Sequence, residues 1–116
     1  MKLRTIRKNI KYWVQRRTRG WSDDETWNLD YEFIKWINSR FKRYKKLASK
    51  NICLTYHNFT YKGKEYTQLE LIDKVIEISN IVVNEDKWFS KNFEELDPIK
   101  NEIFDIFKLI FWTMWW

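Results

Sequence analysis

The chain has 116 residues, a formal net charge of +6 and an aromatic fraction of 19%, with two Gly and one Pro. That length fits one domain, residues 1–116, and the shortage of turn residues argues against an all-β fold. One Cys excludes an internal disulfide, and Cys53 with His57 is too small a ligand set for a zinc site, so no metal and no cofactor are expected.

Charge is unevenly placed. Residues 1–20 hold eight Lys/Arg and no acid, whereas residues 67–97 hold three basic and eight acidic groups. The basic end should attract anions. No apolar h-region follows the N-terminus, and the stretch Leu109 to Trp116 is far short of the ~20 residues that span a bilayer, so no membrane span is expected. A reducing cytoplasm is the expected compartment.

In chain order, Leu3, Ile6, Ile10 and Trp13 follow helical spacing and predict a first helix over residues 3–18, with Gly20 near its C-cap. Ser22-Asp23-Asp24-Glu25 reads as a capping box with acids at the positive end of a helix dipole. The helix expected from there shows Trp27, Ile34, Phe41 and Ala48 at seven-residue steps, and no breaker intervenes before Lys50. It would be ~40 Å long at ~1.5 Å per residue. Trp27 is expected in the core.

Residues 51–66 break the pattern, and Lys62-Gly63 marks either a short hairpin or an irregular loop. Thr67-Gln68-Leu69-Glu70 is a second capping box, opening a helix over residues 68–83. Its stripes Leu71-Val75-Ile78-Val82 and Ile72-Ile76-Val83, with Ser79 as a polar defect, predict deep burial. Residues 84–96 read as an acidic connection anchored by Trp88 and Phe89. Asp97-Pro98 reads as an N-cap followed by Pro at the first helical position of a last helix. The expected fold is mainly α: a small four-helix-type bundle with one long helix.

The candidate binding residues are Trp13, Arg16, Arg17, Arg19, Trp21, Tyr31, Arg40 and Arg43. Guanidinium forks grip phosphates and rings stack on bases. The bland alternative is a solvated basic face paired with Asp23, Asp24 and Asp30. The acids of residues 23–30 are explained by capping and the helix dipole. His57 has no triad partners at a suggestive spacing, Cys53 reads as a buried thiol, and there is no Gly-rich phosphate loop, so no catalytic residue is expected and the protein reads as a non-enzyme. The Trp-rich C-terminus suits an oligomer interface better than an interfacial membrane anchor.

Arg19-Gly20-Trp21-Ser22-Asp23-Asp24, Trp27-Asn28-Leu29-Asp30 and Arg40-Phe41-Lys42 together resemble a pattern found in small proteins of tailed bacteriophages. The resemblance covers residues 10–45 and implies a phage protein acting in the host cytoplasm. By type, a small basic aromatic protein of that origin is similar to the sponges that sequester nucleotide signals of defence systems such as CBASS and Thoeris. The expected function is therefore capture of a small anionic nucleotide-like ligand by a homo-oligomer to evade host immunity. A nucleic-acid-binding protein and a protein–protein inhibitor of anti-CRISPR type are the rival expectations.

Overall fold

The computed structural model of the chain describes residues 2–50, 58–83 and 92–114. It is mainly α, with four helices and one two-stranded sheet. Helix α1 spans Leu3–Arg19, α2 Leu29–Ala48, α3 Gln68–Val83 and α4 Phe93–Ile110. Strands β1 (Asn58–Tyr61) and β2 (Lys64–Thr67) form an antiparallel hairpin, and short 3-10 turns lie at Asp23–Thr26 and Phe111–Thr113. The readings placed on Cys53, His57, Trp88, Phe89 and the last two residues of the Trp-rich C-terminus lie outside the described residues. By contacts the chain divides into two compact units, Met1–Phe33 and Ile34–Trp116.

In the first unit α1 ends where Gly20 adopts φ 86°, the left-handed region that only glycine enters cheaply, and its N–H bonds the Arg16 carbonyl at 3.0 Å. Arg16, Arg17 and Arg19 in the last turn complement the negative end of the helix dipole. No residue of α1 is buried.

The single long helix expected from Ser22 is instead broken in two. Asp23–Thr26 is a 3-10 turn, in which the Trp27 N–H bonds Asp24 O at 3.2 Å and the Thr26 hydroxyl caps Asp23 O at 2.7 Å. A fresh α-helical ladder starts when Glu32 N–H donates to Asn28 O at 2.9 Å. Helix α2 therefore has 20 residues and a length of about 30 Å at about 1.5 Å per residue. Trp27 is 84% exposed, which corrects its expected place in the core. The seven-residue step that grouped it with Ile34 and Phe41 fails because the 3-10 turn shifts the helical phase before Leu29.

The second unit holds the hydrophobic core. Ile37 and Phe41 from α2, Tyr61 from β1, Leu71, Ile72 and Val75 from α3, and Ile103, Ile106 and Ile110 from α4 form one cluster. Phe41 stacks on Phe107 with ring centroids 6.0 Å apart. The hairpin closes through a two-residue turn at Lys62 (φ 51°) and Gly63 (φ 79°), with Tyr61 paired to Lys64. Two successive positive φ values match the right-handed twist of a hairpin and explain why glycine occupies the second.

Helix α3 begins as the sequence indicates. The Thr67 hydroxyl accepts from Glu70 N–H at 3.2 Å, and the Glu70 carboxylate accepts from Thr67 N–H at 3.0 Å. Ser79, the polar defect in its stripe, is fully buried, and it accepts from the Asn38 carboxamide of α2 at 2.8 Å. Gln68 is buried too; its carboxamide nitrogen donates to the backbone and hydroxyl oxygens of Thr113, while its oxygen accepts from Tyr44 at 3.2 Å.

The start of α4 differs from the expectation at Asp97-Pro98. The cap is Asn92, whose side chain accepts from Glu95 N–H at 3.0 Å, and Pro98 lies inside the helix. Pro98 has no N–H for the Glu94 carbonyl, and as the sixth residue of the helix it removes one bond from the interior of the ladder. Asp97 instead makes a helix-surface pair with Lys100 at 3.2 Å. Among the described residues no helix is long and apolar enough to cross a membrane.

Candidate anion-binding helix

Six of the eight candidate residues fall in the first unit: Trp13, Arg16, Arg17 and Arg19 on α1, Trp21 in the turn after it, and Tyr31 at the start of α2. Arg40 and Arg43 fall in the second unit, further along α2, and both are exposed.

Residues 20–26 double back along one side of α1 and clamp two of the arginines. Arg19 Nη2 donates to Asp23 Oδ1 at 2.6 Å, and its Nε donates to the Trp21 carbonyl at 3.0 Å. Its guanidinium lies 3.8 Å from the centre of the Trp21 ring. Arg16 Nη1 donates to the Ser22 hydroxyl at 3.0 Å and lies 3.8 Å from Asp24 Oδ1. Gln15 binds Asp23 twice, donating to Oδ2 at 2.7 Å and accepting from the backbone N–H at 2.8 Å. Lys11 approaches the same carboxylate at 3.5 Å. Ser22 is fully buried; its N–H donates to Glu25 at 2.6 Å, the return half of a capping box, while its hydroxyl turns to the Asp24 carboxylate.

Arg16 and Arg19 thus already have carboxylate partners within the chain, and Trp21 is covered on one face. The i,i+4 spacing of Arg19 and Asp23 carried that signal in the sequence. Arg17 is placed differently. Its guanidinium sits 5.1 Å from the centre of the exposed Trp13 ring, and among the described residues no carboxylate pairs with it. Arg4, Arg7 and Lys8 likewise lack an acidic partner among the described residues, and with Leu3 and Lys11 they line an open groove along α1. Arg40 repeats the Arg–Trp arrangement at 5.3 Å over Trp36 and donates to the Ser39 hydroxyl at 3.1 Å. Tyr31 N–H bonds the Asp30 carboxylate at 2.8 Å.

The clamp leaves an electrostatic mark. Hydrogen bonds from Arg19 and then Gln15, helped by the charges of Arg19 and Lys11, hold the Asp23 carboxyl down at about 2 from an ordinary 3.8. A carboxyl depressed on folding adds stability that is full above 3.8 and lost as pH falls through about 2. An NMR titration should therefore place Asp23 at about 2. The variant Arg19→Gln should move the midpoint up; an unchanged midpoint would show that Arg19 is not the main cause.

Among the described residues no three His, Cys, Asp or Glu side chains gather as a metal site. No family model matches the chain, and no curated protein or solved structure is found to be similar to it.

Proposed function

We propose that the protein is a non-enzymatic binder of a small anionic nucleotide-like ligand, with Arg17 and Trp13 at the contact. The observation that carries this reading is the exposed Arg17–Trp13 pair without a described carboxylate partner. A guanidinium on one side of an indole leaves the other face open to a base, and its N–H fork suits a phosphate. Arg4, Arg7 and Lys8 add positive potential along the same helix. In a bacteriophage setting, which the Arg-Gly-Trp motif resembles, such a binder would sequester a nucleotide signal of host defence, and a homo-oligomer would enclose the ligand more fully.

A panel of cyclic nucleotides and ADP-ribose isomers, titrated by calorimetry, tests the reading. Arg17→Ala should weaken binding by about tenfold or more, the worth of a hydrogen bond to a charged group. Arg19→Ala should weaken it less, since Arg19 is held by Asp23. No binding anywhere in the panel, or wild-type affinity in Arg17→Ala, would sink the proposal. The row Arg4, Arg7, Lys8 and Lys11 along one flank of α1 also favours a second reading, an extended nucleic acid. That reading predicts affinity rising with oligonucleotide length and falling steeply with salt.

A further inference from the structure

We infer that helix α1 docks on an anionic lipid surface, lying in the plane of the interface with its apolar face down. Leu3, Ile6, Ile10, Trp13 and Val14 fall within an arc of roughly 100° at about 100° per residue; the one cation in that arc, Arg17, sits at its C-terminal end beside the Trp13 ring, where a long side chain can carry its charge out to the headgroups. All five are exposed: Leu3 64%, Ile10 57% and Trp13 57% are the most open. The chain's own fold-back does not shield this face. It lies against Gln15, Arg16 and Arg19, on the other side of the helix.

The charge pattern selects the occupant. Arg4, Arg7, Lys8 and Lys11 run along one flank of the apolar stripe, where long side chains can reach lipid phosphates while the stripe enters the acyl boundary. A second copy of α1 is a poor fit, because residues 1–20 carry eight cations and no acid, and two such helices face to face would repel. A nucleic acid would satisfy the cations and leave the stripe in water. The exposed indole of Trp13, on the stripe itself, is the ring type that settles at the headgroup level. Helix α1 has 17 residues and too many charges to cross a bilayer, so it lies on the surface.

The test uses the full chain with vesicles of phosphatidylcholine containing about one-third phosphatidylglycerol, compared with phosphatidylcholine alone. Flotation should show the protein on the anionic vesicles, with a blue shift of Trp emission, and at least about tenfold weaker partition onto neutral ones. Arg7→Ala should reduce partition about fivefold, the effect of removing one cation near an anionic surface. Ile6→Glu and Ile10→Glu should abolish it while leaving the thermal midpoint intact; Leu3→Glu, about 15 Å along the helix from Trp13 at about 1.5 Å per residue, should weaken partition while leaving any nucleotide binding intact, which separates this inference from the nucleotide proposal. Equal flotation of the Ile10→Glu variant, or no flotation of the wild type, would overturn the inference. A dimer in lipid-free buffer that Ile10→Glu dissociates would also overturn it, by assigning the stripe to a subunit interface.

Discussion

Replacing Asn38 by aspartate should destabilise the protein by about 3–5 kcal/mol at pH 7, the cost of an uncompensated buried charge. Asn38 is 3% exposed, and its carboxamide nitrogen faces three acceptors: Ser79 Oγ at 2.8 Å, Asn80 Oδ1 at 2.9 Å and Ile76 O at 3.4 Å. The Ser79 hydroxyl proton is already committed to Ile76 O at 3.1 Å. A carboxylate oxygen placed there would meet oxygens with no proton to offer. The aspartate would fold with a raised pKa, so its penalty should be full at neutral pH and shrink as pH falls through that value. Asn38→Ala should cost less, about 1–3 kcal/mol, because it leaves unpaired groups but no charge. Urea denaturation of both variants at neutral and mildly acidic pH measures the difference. Equal losses, independent of pH, would show that the amide does not sit among acceptors.

The second large effect belongs to the apolar core. Leu71→Ala or Ile106→Ala should each cost about 2–5 kcal/mol, since both side chains are fully buried in one cluster and their removal leaves a cavity. At about 4–8 °C per kcal/mol for a unit of this size, calorimetry should register a fall in Tm of about 8 °C or more. Ile10→Ala should change stability by no more than about 0.5 kcal/mol, because Ile10 is 57% exposed. A loss at Ile10 as large as that at Leu71 would show that α1 is packed after all.

Much of this architecture was legible in the sequence where a local signal has only one cheap solution. Gly20 after a basic helical turn is a left-handed cap, and Thr67 with Glu70 is a reciprocal box at the start of α3. Lys62-Gly63 left a hairpin and an irregular loop both open, and the two positive φ values decide for the hairpin. The misreadings arose where local signals compete. Asp97-Pro98 and Asn92-Phe93-Glu94-Glu95 both carry helix-start chemistry, and the earlier signal prevails, with the Asn92 side chain capping Glu95 N–H and two acids in the first turn. Periodicity identified an apolar face at Trp27 and along α1, but it cannot say whether anything covers that face. The candidate site was half legible: the interleaved Arg and Trp residues do come together on α1 and its turn, yet which arginine is held by an acid depends on how residues 20–26 double back. Sequence distance placed Arg16, Arg17 and Arg19 on equal terms; geometry singles out Arg17.

The buried Gln68 has a consequence for how the chain is made. The nitrogen of its carboxamide donates to Thr113, a partner 45 residues further along. A ribosome delivers α2, the hairpin and α3 well before that partner exists. Throughout that interval Leu71, Ile72 and Val75 lack the α4 residues Ile103, Ile106 and Ile110 that complete their cluster. The nascent second unit should therefore present sticky apolar surface until its last turn emerges, and should engage holding chaperones late in synthesis.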